Sequence, residues 1–208
     1  MILETLLAFD PTVLAAFITA GVILNLTPGA DVMFVTASSM AGGTKSGVAA
    51  GLGISLGALA HVSLAAIGVA ALIAANPSAF TALKWTGILY LLYLAVQAWR
   101  ASADLNAQTG KAELFKATRK GFLTNLLNPK VSLFILAFLP QFTDPAIGPI
   151  WVQILILGAI FIFNGTLITM AYALLAGQLA GHMRKILGPL NKLSSVVFGG
   201  LAVRLALE

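Results

Sequence analysis

The chain has 208 residues, 59% of them hydrophobic and only 9% charged, with a net charge of +5 and a mean hydropathy of +0.97. A water-facing surface takes about 25% charged residues, so a soluble domain, a nucleic-acid binder and a disordered chain are all excluded. With no cysteine, there is no disulfide framework, no thiolate metal site and no dithiol redox chemistry.

The charges are unevenly placed. Residues 46–83 and 145–183 are free of Asp, Glu, Lys and Arg over 38 and 39 positions, each enough for one membrane span of about 20 residues with its turn. The amino-terminal stretch carries Glu4 and Asp10, where a secretory signal would be basic, so no signal is expected there.

Six spans are predicted in chain order. The first runs from about Pro11 to Met40 and is interrupted at Thr27-Pro28-Gly29. The second covers about Gly47 to Ala75, closed by Asn76-Pro77, and the third about Phe80 to Trp99. Lys84-Trp85 and Trp99-Arg100 mark the ends of the third, as aromatic and basic belts do at the two membrane faces. The fourth runs from about Lys120 to Leu139, interrupted at Asn128-Pro129 and stopped by Pro140. The fifth covers about Ile150 to Leu175 and the sixth about Pro189 to Leu207. The one sizeable hydrophilic segment is 101–119. Within it, 111–116 reads either as a solvated loop or as a short interfacial helix with Leu114 and Phe115 toward lipid.

Lys and Arg set the orientation. Lys45, the five basic residues between Arg100 and Lys120, and Arg184, Lys185 and Lys192 fall on one side if six spans alternate. The opposite side holds Lys84 and Arg204 together with Glu4, Asp10, Asp144 and Glu208. The positive-inside rule then places both termini outside and the 101–119 loop in the cytoplasm. The pI near 9.8 is accordingly a topology signal.

An internal repeat links the two interrupted spans. Gly21, Asn25, Leu26 and Phe34 recur as Gly121, Asn125, Leu126 and Phe134, with the proline displaced from Pro28 to Pro129. Three spans separate the copies, so they cross the membrane in opposite directions. Inverted repeats with paired broken helices are a common architecture of secondary transporters. Proline removes one helical hydrogen bond, so the carbonyls freed near Leu24 and Asn125 must be paired internally or line a wet cavity. The alternative is a pair of ordinary proline kinks used for packing. The predicted fold is all-α: a polytopic membrane protein of six helices in a 3+3 inverted repeat, one domain with halves of about 1–100 and 120–208.

Two charges sit beside the breaks. A charge at mid-span costs about 2.5–3.5 kcal/mol, so Asp31 and Lys130 are expected to face a cavity, a solute or each other. In one reading, Asp31 meets a solute ammonium or a proton and Lys130 meets a carboxylate, which suits a zwitterion. In the other, the two form a structural ion pair. His61 is the intramembrane histidine, fit for a proton relay or for hydrogen-bonded packing. Asn164 and Thr166 mark the fifth span, and Tyr90, Tyr93 and Gln97 the third. Of these Asn164 is preferred as a solute contact, because an unpaired amide in lipid is the costliest.

Gly43, Gly47, Gly51, Gly53 and Gly57 form a small-residue ridge on the second span. Such ridges let helices approach closely; packing within the chain is the default, and a homodimer contact the other use. Gly53-Ile54-Ser55-Leu56-Gly57 matches a nucleophile-elbow string, but that motif needs a strand-to-helix turn. Gly42 to Ser46 lacks phosphate-loop spacing. No metal site and no cofactor are expected.

At Leu26-Thr27-Pro28-Gly29-Ala30-Asp31 and Asn128-Pro129-Lys130 the sequence resembles the lysine exporter / homoserine–threonine resistance (LysE/RhtB) superfamily. The resemblance extends through Gly42 to Gly57, Lys84 to Tyr93 and Gly121 to Asn125, covering essentially the whole chain. It implies efflux of an amino acid or close derivative across the bacterial inner membrane, driven by the proton gradient. The family's first motif is usually Pro-Gly-Pro, whereas the second proline is Ala30 here. The partners expected are a small solute and the lipid bilayer. Cation efflux is the runner-up, and an intramembrane enzyme a more distant one, since Ser55 and His61 lie six residues apart on one helix and point to different faces.

Overall fold

The structure is a computed structural model and describes residues 1–75, 77–100 and 114–207. Asn76 and most of the expected cytoplasmic loop, 101–113, lie outside the described residues, as do the side chains of Lys84, Tyr90, Gln97, Arg184, Lys185 and Arg204. Everything regular among the described residues is helical.

A short helix, α1 (Ile2–Ala8), precedes the first expected span. It meets α2 (Pro11–Leu26) at 97° and exposes Ile2, Leu3 and Leu7. Asp10 starts α2: its carboxylate accepts from the Thr12 amide at 2.7 Å and hydroxyl at 2.6 Å, and Pro11 follows where no amide donor is needed. α2 ends at the expected place. Thr27 precedes proline and is extended, at φ −62° and ψ 121°, because the proline ring disfavours a helical residue before it.

The chain resumes in α3 (Ala30–Ala75), which has two limbs joined at Gly43. Gly43 has φ +77°, a conformation that a side chain at Cβ disfavours. The expected connection between the first two spans is therefore a kink with no separate loop. α4 (Pro77–Arg100) covers the third expected span.

The second broken helix begins as α5 (Leu114–Leu126), earlier than Lys120. Leu114 and Phe115 form its first turn, with both side chains exposed, so no separate interfacial helix includes them. Asn128 is extended before Pro129 and caps α6 (Pro129–Leu133) through a 3.0 Å bond from the Lys130 amide. The axis bends by 52° across this break. Beyond α6 the helix widens to a π turn over Phe134–Phe138 and tightens to a 3₁₀ turn over Leu139–Phe142. Pro140 cannot donate to the carbonyl four residues back, so the helix changes pitch here and ends at Phe142, two residues beyond the expected stop.

The fifth and sixth expected spans are one helical run, α7 (Ile150–Leu207), with Pro189 inside it. It is not one straight rod. A Cβ on Gly165 would lie 3.1 Å from Asn25, while Ser194 is 2.6 Å from Thr27. On a straight helix those two positions would stand about 43 Å apart, yet both touch the end of α2. The run must therefore turn back on itself between them. Among the described residues, Thr44–Gly68 and Ile150–Ala176 are each long and apolar enough to cross a bilayer, as are two bent pairs, one around each of the angles above. Leu52, Leu56 and Leu59 on α3 and Phe163, Leu167 and Leu174 on α7 are exposed at helical spacing, an apolar outer face suited to lipid.

The interior has two unlike halves. One is aromatic: Phe134 stacks on Phe17 and Phe161 with centroids 6.1 and 4.9 Å away, and Phe138 and Phe142 extend the group. The other is built of small side chains, Ala49, Ala50, Ala117 and Ala173 with Val35 and Ile54. In this half the helices nearly touch. A Cβ on Gly121 would collide with the Ala50 carbonyl, and one on Gly53 with that of Thr118. Gly47 faces Ser39 on the first limb of α3 and Ala173 on α7, Gly51 faces α7, and Gly57 faces Asn125, so these four positions of the ridge, Gly47, Gly51, Gly53 and Gly57, pack within the chain.

Candidate functional site

A cavity lies where the breaks meet. Its polar lining comes from Asn25, Asp31, Ser55, Asn125, Lys130, Thr166 and Thr169, its apolar lining from Val32, Ile54, Ala58, Val131, Phe161 and Ile162. Along α3, α5–α6 and α7 alike, the lining residues fall between the aromatic and small-residue halves of the core. The room left for the centre of a water molecule is about 20 Å³, enough for about one ordered water.

The breaks account for most of what surrounds the cavity. A helix leaves its last four carbonyls without helical partners. At the end of α2, the Thr27 amide returns to the Ile23 carbonyl at 2.9 Å. Lys130 Nζ donates to the Leu24 carbonyl at 3.0 Å and to that of Thr27 at 2.9 Å, and the Tyr172 hydroxyl donates to that of Leu26 at 3.1 Å. The cation from the second break thus sits at the negative end of the first broken helix, where the backbone dipole favours it. Gly29 permits the approach: a Cβ there would lie 3.2 Å from Lys130 Nζ.

The second break is closed in a similar way. The Asn125 carbonyl accepts from the Asn128 amide at 2.9 Å and lies 3.3 Å from His61 Nε2. His61 is buried and lies outside the cavity lining, against a freed carbonyl.

Asp31 is in the first turn of α3, where the positive end of the helix dipole suits a carboxylate. It is 7% exposed. Its Oδ2 accepts from Asn125 Nδ2 at 2.9 Å, and its Oδ1 has no partner. Lys130 is not bonded to it, and no ion pair joins the two. In place of the direct Asp31–Lys130 ion pair that one of the two readings held, the structure has two crossed contacts, carboxylate to amide and ammonium to carbonyls. Asn125 Oδ1 and Asn128 Nδ2 are likewise buried without partners. The hydroxyls that line the cavity are satisfied: Ser55 Oγ lies 2.7 Å from Thr166 Oγ1, and Thr166 and Thr169 donate to carbonyls of their own helix.

Of the expected site residues, Asp31 and Lys130 line the cavity, while Thr27, Pro28, Gly29, Asn128 and Pro129 shape the breaks beside it. Asn164 is outside the lining; its neighbours Gly165 and Thr166 face inward instead. Helical spacing puts 161, 165 and 169 on one face, and position 164 falls off that stripe. The residue that sequence reasoning passed over is Asn125. Its recurrence with Asn25 was the available signal, since both asparagines line the cavity.

The profile of the LysE type translocator family matches residues 22–208. The chain is 36% identical over 201 residues to an "Uncharacterized membrane protein" of Vibrio cholerae, covering 95% of this chain and 98% of that one. It is 32% identical to the "Homoserine/homoserine lactone efflux protein" of Salmonella typhimurium, over 89% and 90% of the two chains. It is 29% identical to the "Leucine efflux protein" of the same organism, over 91% and 92%. No solved structure matches it. With nearly the whole chain matched by the profile, and a relative aligned along both full lengths, this multi-pass membrane protein belongs to the LysE type translocator family.

Proposed function

We propose that the protein is a secondary transporter that exports an amino acid or a closely related small metabolite, with the cavity between the breaks as the solute site. The observation that carries this reading is Asp31, a buried carboxylate with one oxygen unbonded, lining a cavity between two interrupted helices. A charge in that position is costly unless it serves a solute or a proton. The relatives named for homoserine, homoserine lactone and leucine efflux support an amino-acid-like solute. Ser55 and His61 are bonded to different partners on different helices, which favours transport over intramembrane catalysis.

The cavity as it stands is too small for an amino acid, so entry requires the helices to part. An aromatic seal on one side and a small-residue seal on the other suit alternating access, with one seal opening at a time. In this reading six spans form two inverted halves, about 1–100 and 120–208. Both termini face the periplasm, 101–119 faces the cytoplasm of a bacterial inner membrane, and the proton gradient drives export.

Counterflow in proteoliposomes tests the proposal. Wild-type protein should exchange labelled leucine or homoserine, and Asp31→Asn should fold normally and exchange neither. Equal exchange by the two proteins would remove Asp31 from the mechanism.

A further inference from the structure

We infer that Asn125 completes an amine-binding site with Asp31, and that a proton and the solute's ammonium compete for the same two oxygens. This rests on the transport reading above and names what that site recognises.

Asn125 is 1% exposed, lines the cavity and donates Nδ2 to Asp31 Oδ2 at 2.9 Å. An ionised carboxylate can only accept, so this bond fixes the amide orientation and leaves Asn125 Oδ1 as an acceptor. Asp31 Oδ1 and Asn125 Oδ1 are therefore two buried acceptors tied together by one bond, and neither has a donor. Buried polar atoms are rarely left so. What is missing is a donor group, and the formal charge beside it calls for a cation.

Two donors fit. A proton on Asp31 Oδ1 would let that oxygen donate to Asn125 Oδ1, closing a two-bond acid–amide pair. A primary ammonium would instead bond to both oxygens of the ionised form. The exchange balances: the protonated acid plus R–NH₃⁺ gives the carboxylate–ammonium contact plus one released H⁺. Asp31 comes from the helix after the first break and Asn125 from the helix before the second, so either occupant joins the two broken helices.

The groups around Asp31 leave this role open. Lys130, from α6, is held by the Leu24 and Thr27 carbonyls. His61, from the second limb of α3, faces the Asn125 carbonyl, and Tyr172, from α7, faces that of Leu26. α2 carries no titratable side chain. The cavity hydroxyls of Thr166 and Thr169 already donate to backbone carbonyls, and Lys130 uses two of its three N–H donors on carbonyls, so a solute carboxyl is held less firmly than its ammonium. Val32, Ile54, Ala58 and Phe161 complete an apolar wall. The ligand class is a primary amine on a small apolar chain, with its carboxyl free or masked.

The experiment is competition for leucine counterflow by wild-type protein in proteoliposomes, between about pH 5 and 9. Leucinamide should compete comparably to leucine, and N-acetylleucine at least about tenfold more weakly, as expected for a lost charged hydrogen bond. Across the series the half-saturating leucine concentration should rise as the pH falls, by up to about tenfold per pH unit, the limiting slope for one competing proton. Asn125→Leu, checked for folding by size-exclusion chromatography, should weaken leucine by about tenfold or more and narrow the preference over N-acetylleucine. Equal competition by N-acetylleucine, or a half-saturating concentration indifferent to pH, would overturn the inference and leave amino-acid export standing. Absence of counterflow with every amine would remove the export reading and this site with it. If Asn125→Leu fails to fold, the wild-type competition and pH series still decide.

Discussion

Lys130 Nζ lies 2.9 Å from the carbonyl oxygen of Thr27, so the cation of the second break satisfies hydrogen bonding that the first break leaves open. Gly29, with no side chain in the way, lets it in. The two interruptions are joined twice: Lys130 of the second completes the helix end at the first, and Asn125 of the second binds Asp31 just after the first.

Removing that ammonium should destabilise the fold itself. Lys130→Met leaves the Leu24 and Thr27 carbonyls without their donor in a water-poor interior, at about 1–3 kcal/mol each. Thermal unfolding in detergent, followed by size-exclusion chromatography, should show a clear loss. The same loss should appear in an Asp31→Asn background, because the two residues share no direct bond. Recovery of stability in the double variant would restore the structural ion pair.

The small-residue half should tolerate no added atom. Gly53→Ala and Gly121→Ala each drive a methyl group into a backbone carbonyl of the neighbouring helix, and backbone cannot rotate away as a side chain can. Overpacking of this kind costs about 1–3 kcal/mol. Gly199→Ala, where nothing lies within 4 Å, is the control and should melt like the parent. Identical melting of all four proteins would mean that α3 and α5 pack less closely than described.

The aromatic half should seal one face. The chain has no cysteine, so Thr169→Cys gives a single thiol at the cavity. An impermeant thiol reagent applied from the side of the 143–149 connection should label it slowly. Adding Phe161→Ala, which removes a ring stacked on Phe134, should speed labelling from that side only. Faster labelling from the opposite side would place the seal elsewhere.

Asp10 offers a pH dependence outside the spans. Hydrogen bonds from the Thr12 hydroxyl and amide hold its carboxyl below the usual value of 3.8. A lowered pKa means the ionised cap stabilises the folded state at pH above 3.8, and that the contribution fades as pH falls through the lowered value. Asp10→Asn should therefore flatten the acid limb of a stability–pH curve measured by thermal unfolding. Superimposable acid limbs would show that the cap does not couple to folding.

Much of this was legible in the chain. Hydrophobic length and scarce charge determined an all-helical membrane protein, because a bilayer offers the backbone no other donors or acceptors. Pro28 and Pro129 determined where two helices must stop, since a missing amide and the restricted residue before it are local facts. The odd placement of Asp31 and Lys130 pointed to the breaks, where both now line one cavity. What local chemistry could not decide was who satisfies whom. The partners of Lys130 are carbonyls more than 100 residues away, and the partner of Asp31 is an amide 94 residues on. The direct pair suggested by opposite charges gave way to helix ends that needed a donor and an acceptor. Asn164 lost its place to the 161–165–169 stripe by the rotation of one helix about its axis. Such pairings depend on how helices meet in space, and only the tertiary structure holds that information.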